Sequence, residues 1–274
     1  MFAGFNLSID KDFWKNEDEF NKYKNIGERH LNCNKKDLQF ELEKYTIDNV
    51  INGHKIQEDW FPQIDADVFL SHSSKDTDLV NALAGWLNEK FDLKCFVDSN
   101  VWNYAGDLSD KLNSLYSNKR RKNNGYLYDY KSCNKVSEHV NTMLNIALYK
   151  MIDECECIIL VNTDNSVSIN VDNNMDLTYS PWIYSELVCS DLVRKKPLST
   201  YRSEIQHGAL FEHTEMAINY DIPIEHLIVL YKKDLKEWEK IYMDRLNRQP
   251  FKLIYKNDYP LDILYEMEKI VDKK

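Results

Sequence analysis

The chain has 274 residues, of which 43% are hydrophobic, so it can bury one main core and support a smaller appended segment. Its formal net charge of −10 argues against a general nucleic-acid binder, because such proteins need basic surface to neutralise phosphates. No stretch approaches the roughly 18 apolar residues needed to span a bilayer, and the first residues lack a signal peptide's features, so we expect a cytoplasmic protein without membrane contact.

The first predicted unit, residues 1–62, is a charged and mostly helical extension. Aromatic residues from Phe13 to Tyr23 are spread among many Glu and Lys residues, as in a helix that packs one side against a larger body. Pro62 cannot continue a helix, so it ends this unit and leads into an extended segment.

From Asp65 the pattern alternates between strands and helices, which is typical of a doubly wound parallel sheet. Residues 68–70 form a short apolar strand, and the polar loop after it contains the residue types that begin helices. A helix is predicted over residues 76–90, with a second strand over residues 94–97 that ends at Asp98.

Further elements are predicted along the rest of the chain. They are a loop at 99–107, a helix at 107–117, a polar excursion at 118–134, a helix at 137–155, strands at 157–161 and 227–230, a helix that begins at Ser180-Pro181-Trp182, and a helical tail from Pro260. Residues 63–274 are therefore expected to be the main domain, with an insertion around 107–135. Right-handed crossovers would bring Ser71, Asp98 and Asn162 to one edge of the sheet.

Several common kinds of site are excluded by missing motifs. The seven glycines form neither G-x-G-x-x-G nor a P-loop, which argues against a redox Rossmann enzyme and a P-loop hydrolase. There is no G-x-S-x-G elbow and no cluster of Cys and His with zinc spacing, so we predict neither a serine hydrolase nor a metal site.

Glu186 is the candidate catalytic residue. It follows Trp182 by four positions and shares a helix face with that indole. A carboxylate beside an aromatic side chain suits cleavage of an N-glycosidic bond, because it stabilises the oxocarbenium-like state of the ribose. A glutamate in the first turns of a helix is also common for structural reasons, since the helix dipole favours it there.

Two motifs together resemble the Toll/interleukin-1 receptor (TIR) domain family. They are DVFLSHS at residues 67–73 and WIYSEL at residues 182–187, and the resemblance covers about residues 65–230. It implies a flavodoxin-like fold, and in family members that cleave NAD+ the glutamate of the second motif, here Glu186, is catalytic. The extension and the insertion have no counterpart in the core family.

The predicted substrate-binding residues lie around the strand ends. They are Phe69, Ser71, His72, Lys75, Asp98, Trp102, Tyr104 and Trp182. Lys75 lies at a helix start, where it and backbone N–H groups suit a pyrophosphate, although a solvated lysine is the more common case. The resemblance implies that Trp102 and Tyr104 stack a base or nicotinamide in the BB loop, while packing of this loop on its own domain is an equal alternative.

Two functions remain open at this point. The resemblance implies an NAD+ glycohydrolase or ADP-ribosyl cyclase of bacterial antiphage defence, with NAD+ as substrate, no further cofactor, and ADP-ribose or a cyclic ADP-ribose signal as product. It also implies homo-oligomers through TIR-TIR contacts and a separate effector that responds to the product. The alternative is a non-catalytic interaction or scaffold module that acts by homotypic assembly.

Overall fold

The computed structural model describes residues 1–32, 42–47, 50–102, 105–117, 120–122, 125–170, 175–201, 220–221, 223–247 and 259–270. Within these ranges the strands are β1 (Ala3–Ser8), β2 (Thr46–Ile47), β3 (Val50–Ile51), β4 (Val68–Ser71), β5 (Cys95–Phe96), β6 (Arg120–Lys122), β7 (Gly125–Leu127), β8 (Cys157–Asn162), β9 (Ser168–Asn170), β10 (Met175–Thr178), β11 (Tyr220–Asp221) and β12 (Ile228–Tyr231).

The α-helices in the same ranges are α1 (Glu17–Asn32), α2 (Gly53–Trp60), α3 (Thr77–Phe91), α4 (Asp98–Val101), α5 (Ala105–Tyr116), α6 (Tyr130–Glu154), α7 (Pro181–Leu192), α8 (Leu198–Tyr201), α9 (Lys232–Asn247) and α10 (Pro260–Met267). Short 3-10 helices occur at Lys11–Phe13, Leu42–Tyr45 and Ser74–Asp76. No helix in the described part of the chain combines the length and the apolar character that a membrane crossing requires.

Five strands form a central, all-parallel sheet in the order β12-β1-β8-β4-β5. Three smaller antiparallel sheets are made by β9 to β11, by β2 with β3, and by β6 with β7. Because every strand of the central sheet runs in the same direction, all of their carboxyl ends lie along one edge.

Helices cover both faces of this sheet. Asn6 and Ser71 both pair with Leu160, so these three side chains point to the same face, and the hydroxyl of Ser71 contacts α7 there. Phe5 points to the opposite face, where its ring stacks on Tyr265 of α10 with centroids 6.2 Å apart. The protein is therefore a three-layer α/β structure.

The two helical layers have different members. One layer contains α1, α3, α9 and α10, each packed against the next. At its centre the ring of Phe91 on α3 stacks on that of Trp238 on α9, with centroids 3.9 Å apart. The other layer is built around α6, which packs against α2, α5 and α7. We call them the α3/α9 layer and the α6/α7 layer.

The N-terminal prediction is wrong in one important respect. Residues 1–62 were expected to be a helical extension outside the sheet, yet β1 is an interior strand between β12 and β8. Its core positions Phe5 and Leu7 are fully buried. Gly4 and Asn6 interrupt the apolar run, which explains why a pattern search does not find this strand. The predicted helix end before Pro62 is confirmed, since α2 ends at Trp60.

Most elements after residue 65 agree with their prediction. The strands at 68–70, 94–97, 157–161 and 227–230 and the helices at 76–90, 107–117 and at Pro260 each correspond to an observed element, with ends that differ by a few residues. Ser180 caps α7 as expected, because its hydroxyl accepts a hydrogen bond from the Ile183 N–H at 3.3 Å.

The segment predicted as a polar excursion at 118–134 is more regular than expected. It contains the antiparallel strands β6 and β7, and α6 begins at Tyr130, seven residues before the predicted start at Ser137. The early start is explained by Asp129, whose carboxylate accepts a hydrogen bond from the Ser132 N–H at 2.9 Å and so caps the helix.

Candidate functional site

The strand ends that were predicted to share one edge do so. β4 ends at Ser71, β8 ends at Asn162, and Asp98 is the first residue of α4, which follows β5 after one residue. Strands β4 and β8 are neighbours, but the helix after β4 belongs to the α3/α9 layer whereas α7, after β8, belongs to the α6/α7 layer. A sheet opens a crevice where its connections change sides in this way, and ligands commonly bind there.

Glu186 meets Ser71 at this edge of the sheet. The Ser71 hydroxyl donates a hydrogen bond of 2.6 Å to the Glu186 carboxylate across 115 positions of sequence. Both side chains are buried, with Glu186 only 4% exposed and Ser71 only 1% exposed. The contact joins the second turn of α7 to the last residue of β4, so the two motifs singled out in the sequence touch directly.

The electrostatic setting of Glu186 is unfavourable for a charge. Burial is the largest cause that raises the pKa of Glu186 well above its ordinary value, and the negative charge of Asp98 raises this pKa further. The hydrogen bond from Ser71 acts in the opposite direction and lowers the pKa. Glu186 is therefore a carboxyl group whose ionisation depends on its few neighbours.

Asp98 is the second carboxylate of the site. It is half-buried, and its side chain accepts a hydrogen bond of 2.7 Å from the N–H of Ser99. This bond keeps the aspartate at the start of α4. Asp98 is close enough to Glu186 to raise the pKa of that residue, so the two carboxyl groups interact. Such a pair suits a substrate with a developing positive charge.

A polar cluster next to Glu186 was missed in the sequence. The hydroxyls of Tyr149 and Ser185 are 2.7 Å apart, and Ser185 donates a weaker hydrogen bond to Asn145 at 3.3 Å. These bonds hold α7 against α6 and so fix the turn that carries Glu186. The available signal was Asn145, a buried polar residue among the inward-facing apolar residues of α6.

Two of the predicted substrate-binding residues belong to the core. Phe69 is 1% exposed, and its ring packs on Phe96 with centroids 5.1 Å apart. Trp102 is 3% exposed, lies between Phe96 and Phe61, and donates a hydrogen bond of 2.8 Å from its indole N–H to the Pro62 carbonyl. Neither ring face is open to a ligand, so the prediction that Trp102 stacks on a base is corrected in favour of packing.

The remaining predicted residues have separate positions. Trp182 is half-buried on α7, and His72 is half-buried, with its Nδ1 atom 3.1 Å from the Leu70 carbonyl oxygen. Lys75 is exposed in the 3-10 helix after β4. Tyr104 lies outside the described residues. The contacts of the described residues bring Ser71, Asp98 and Glu186 together.

Among the residues that the structure describes, no group of three or more His, Cys, Asp or Glu side chains could hold a metal ion. Comparisons with protein-family models, with curated proteins and with solved structures found no match. The fold and the site together define a three-layer α/β protein with a five-stranded parallel sheet and a buried glutamate at its carboxyl edge.

Proposed function

We propose that this protein is a flavodoxin-like enzyme of the TIR type that cleaves the bond between nicotinamide and ribose in NAD+, with Glu186 as the catalytic residue. The observation that carries the proposal is the 2.6 Å hydrogen bond between Ser71 and Glu186, because it joins the two motifs of the resemblance at a strand switch point. A buried carboxyl group with a raised pKa in such a crevice is typical of functional sites.

The strand order supports the flavodoxin-like part of the proposal. Counted from β4 as the first strand after residue 62, β5, β4 and β8 have the order 2-1-3, as at one side of a flavodoxin-like sheet. The fourth position is taken by β1, and β12 takes the fifth. The fourth position is thus filled by a strand that precedes β4 in the chain, whereas the flavodoxin-like order 2-1-3-4-5 has a later strand there.

The proposed reaction breaks one bond and forms another. The electron pair of the N-glycosidic bond leaves with nicotinamide, which becomes neutral, and the ribose becomes an oxocarbenium-like cation that the Glu186 carboxylate stabilises. Attack by water, with loss of a proton, gives ADP-ribose; attack by a group of the same nucleotide gives a cyclic product. We propose that this product is a signal for a separate effector in bacterial antiphage defence.

Access to Glu186 requires a change of the site, since the side chain is only 4% exposed. We propose that copies of the chain assemble by contacts of the TIR-TIR kind. This assembly would open access to Glu186 by rearranging the segment after Asp98. The charge on Glu186 would then be stabilised by the substrate cation as well as by Ser71.

The burial of Glu186 also favours a second candidate, a non-catalytic module that acts by homotypic assembly. On this hypothesis the bond to Ser71 is structural and holds α7 against β4. Replacing Glu186 would then affect stability and assembly and would have no reaction to affect.

The test measures nicotinamide release from NAD+ by chromatography, using concentrated protein with and without a crowding agent. We expect the wild-type chain to release nicotinamide and Glu186→Ala to lose about 100-fold or more of this activity, the size of effect found when one key electrostatic group is removed. Mass spectrometry of the second product distinguishes hydrolysis from cyclisation.

The matched control is Asp191→Asn, an exposed carboxylate on the same helix as Glu186. It should retain wild-type release. If the wild-type chain releases no nicotinamide under any assembling condition, the enzyme hypothesis is wrong and the scaffold hypothesis stands. If wild type and Glu186→Ala release nicotinamide equally, Glu186 is not the catalytic residue, while the enzyme hypothesis stands.

A further inference from the structure

A cavity lies along the same edge of the sheet, apart from Glu186. It is a cleft of about 780 Å³ over the carboxyl ends of β1, β8 and β12, where Ser8, Asn162 and Tyr231 line it. Its side walls come from the first residues of α3 and α9, so it opens in the α3/α9 layer. Neither Ser71 nor Glu186 lines it, and Glu186 belongs to the opposite layer.

The position of the cleft is typical of a ligand site. The connection after β1 enters the α3/α9 layer, whereas α7, which follows β8, belongs to the α6/α7 layer, so the boundary between β1 and β8 is another switch point. Two long helices, α3 and α9, begin at its walls, and the positive ends of their dipoles face it.

Two of the carboxylates in the cleft are already paired with amines. Asp10 accepts hydrogen bonds of 2.7 and 2.6 Å from Lys232. Asp78 forms an ion pair of 2.7 Å with Lys24, which lies outside the cleft. Their negative charge is therefore largely balanced within the protein.

A third carboxylate has a structural task. Asp76 is buried and accepts hydrogen bonds from the Thr163 hydroxyl at 2.6 Å and from the Asn165 amide at 2.7 Å. These bonds fix the loop after β8 against the start of α3, so that part of the wall is rigid. They also engage both oxygens of the carboxylate.

The amines of the cleft are less engaged than its carboxylates. Lys11, Lys75 and Lys233 line the cleft, are exposed, and have no ion pair among the described residues. Among the aspartates that line the cleft, only Asp164 is likewise exposed and without an ion pair to a described residue. Asp76 also keeps its charge, because a hydroxyl and an amide do not neutralise it. Apart from the pairs Asp10–Lys232 and Asp78–Lys24, three lysines therefore face two aspartates, a local balance of +1 in a chain that carries −10.

Tyr231 adds an aromatic surface to this positive cleft. It is 51% exposed at the end of β12, and the Lys233 ammonium lies 5.6 Å from the centre of its ring. An exposed tyrosine next to an available lysine suits a ligand with a flat ring and an anionic group.

We propose that this cleft binds a small phosphate-bearing molecule of the nucleoside diphosphate class. Lys11, Lys75 and Lys233 contact the diphosphate, and the face of Tyr231 contacts the base. The site lies in a different layer from Glu186, and its occupation does not require cleavage of NAD+.

The test titrates the full chain with ADP, with inorganic pyrophosphate and with adenosine, followed by isothermal calorimetry. We expect ADP to bind most tightly, pyrophosphate more weakly, and adenosine without saturation. Lys233→Glu and Lys75→Glu, on different walls, should each weaken ADP binding by about ten-fold or more, since each removes a charge-assisted contact. Affinity should also fall as salt is raised.

Lys240→Glu is the matched control, because Lys240 is exposed on α9 but outside the cleft. It and Glu186→Ala should bind ADP with wild-type affinity. The proposal is overturned if ADP does not saturate the chain below about 1 mM, the weak end of specific binding. It is equally overturned if all three lysine variants bind alike or if Glu186→Ala abolishes binding. None of these outcomes depends on nicotinamide release.

Discussion

A carboxyl group buried against a single hydroxyl is sensitive to each neighbour that remains. Among the residues that the structure describes, Glu186 has one hydrogen-bond donor, Ser71, and one nearby negative charge, Asp98, and these two act on its pKa in opposite directions. Water contributes little, since the side chain is 4% exposed. Substitution of either neighbour should therefore shift the pKa of Glu186 in a known direction.

We predict opposite shifts for Ser71→Ala and Asp98→Asn. Loss of the Ser71 donor removes a contact that stabilises the charged form, so the pKa of Glu186 should rise. Loss of the Asp98 charge removes a repulsion, so the pKa of Glu186 should fall. Titration of the glutamate carboxyl carbons by NMR measures both shifts without reference to catalysis.

Ser74→Ala is the control for this titration, because Ser74 is exposed in the same loop. It should leave the Glu186 titration unchanged. Shifts of the same sign in Ser71→Ala and Asp98→Asn would contradict this account of the site. If the proposed reaction occurs, its rate should rise with pH through the Glu186 titration, because the carboxylate is the active form.

At the scale of elements, the packing of α1 on α3 depends on two glycines. An added Cβ on Gly27 would lie 1.9 Å from the Asn81 carbonyl oxygen, and one on Gly85 would lie 2.0 Å from the Tyr23 carbonyl oxygen. Both contacts are with backbone, which cannot move aside as a side chain can. The two helices therefore cross with their backbones in close contact, and this holds α1 on the sheet layer.

We predict that Gly27→Ala is destabilising although alanine favours a helix. Separation of the helices should lower the free energy of unfolding by about 1–3 kcal/mol or more, the usual effect of overpacking. The control is Gly53→Ala on α2, where an added Cβ has no heavy atom within 4 Å. Chemical denaturation measures both. A Gly27→Ala chain as stable as Gly53→Ala would show that the crossing is looser than described.

At the scale of the whole molecule, the first residues belong to the same core as the rest. β1 pairs with β8 over six residues and with β12 over four, and its Phe5 is fully buried against α10. A chain whose N-terminal strand lies inside the sheet should unfold as one unit with the elements that follow.

We therefore predict that Phe5→Ala lowers the stability of the entire chain by about 3–5 kcal/mol, as for other buried phenylalanines. The measurement is denaturant unfolding followed by tryptophan fluorescence, to which Trp86 of α3 and Trp238 of α9 contribute, with their ring centroids 6.3 Å apart. Leu115→Ala, at a position that is 53% exposed, should have little effect. If residues 1–62 were a separate appendage, the transition seen by these tryptophans would not move.

Local pattern was sufficient for most elements after residue 65, whereas the choice of Glu186 also rested on the resemblance and stays a prediction. Strand length, helical periodicity and the capping pair Ser180 and Pro181 act within a few residues, so they can be recognised without a structure. The same local view failed for β1, because Gly4 and Asn6 interrupt its apolar run and are accommodated by neighbouring strands that are distant in sequence.

The sequence by itself determined the alternation of strands and helices, the shared edge of Ser71, Asp98 and Asn162, and the type of residue available for chemistry. Only the tertiary structure decided that Glu186 meets Ser71 and that Trp102 is enclosed by the core. The reason is physical: propensity and capping are local, whereas burial and the pKa of a carboxyl group depend on neighbours that folding brings from more than a hundred residues away.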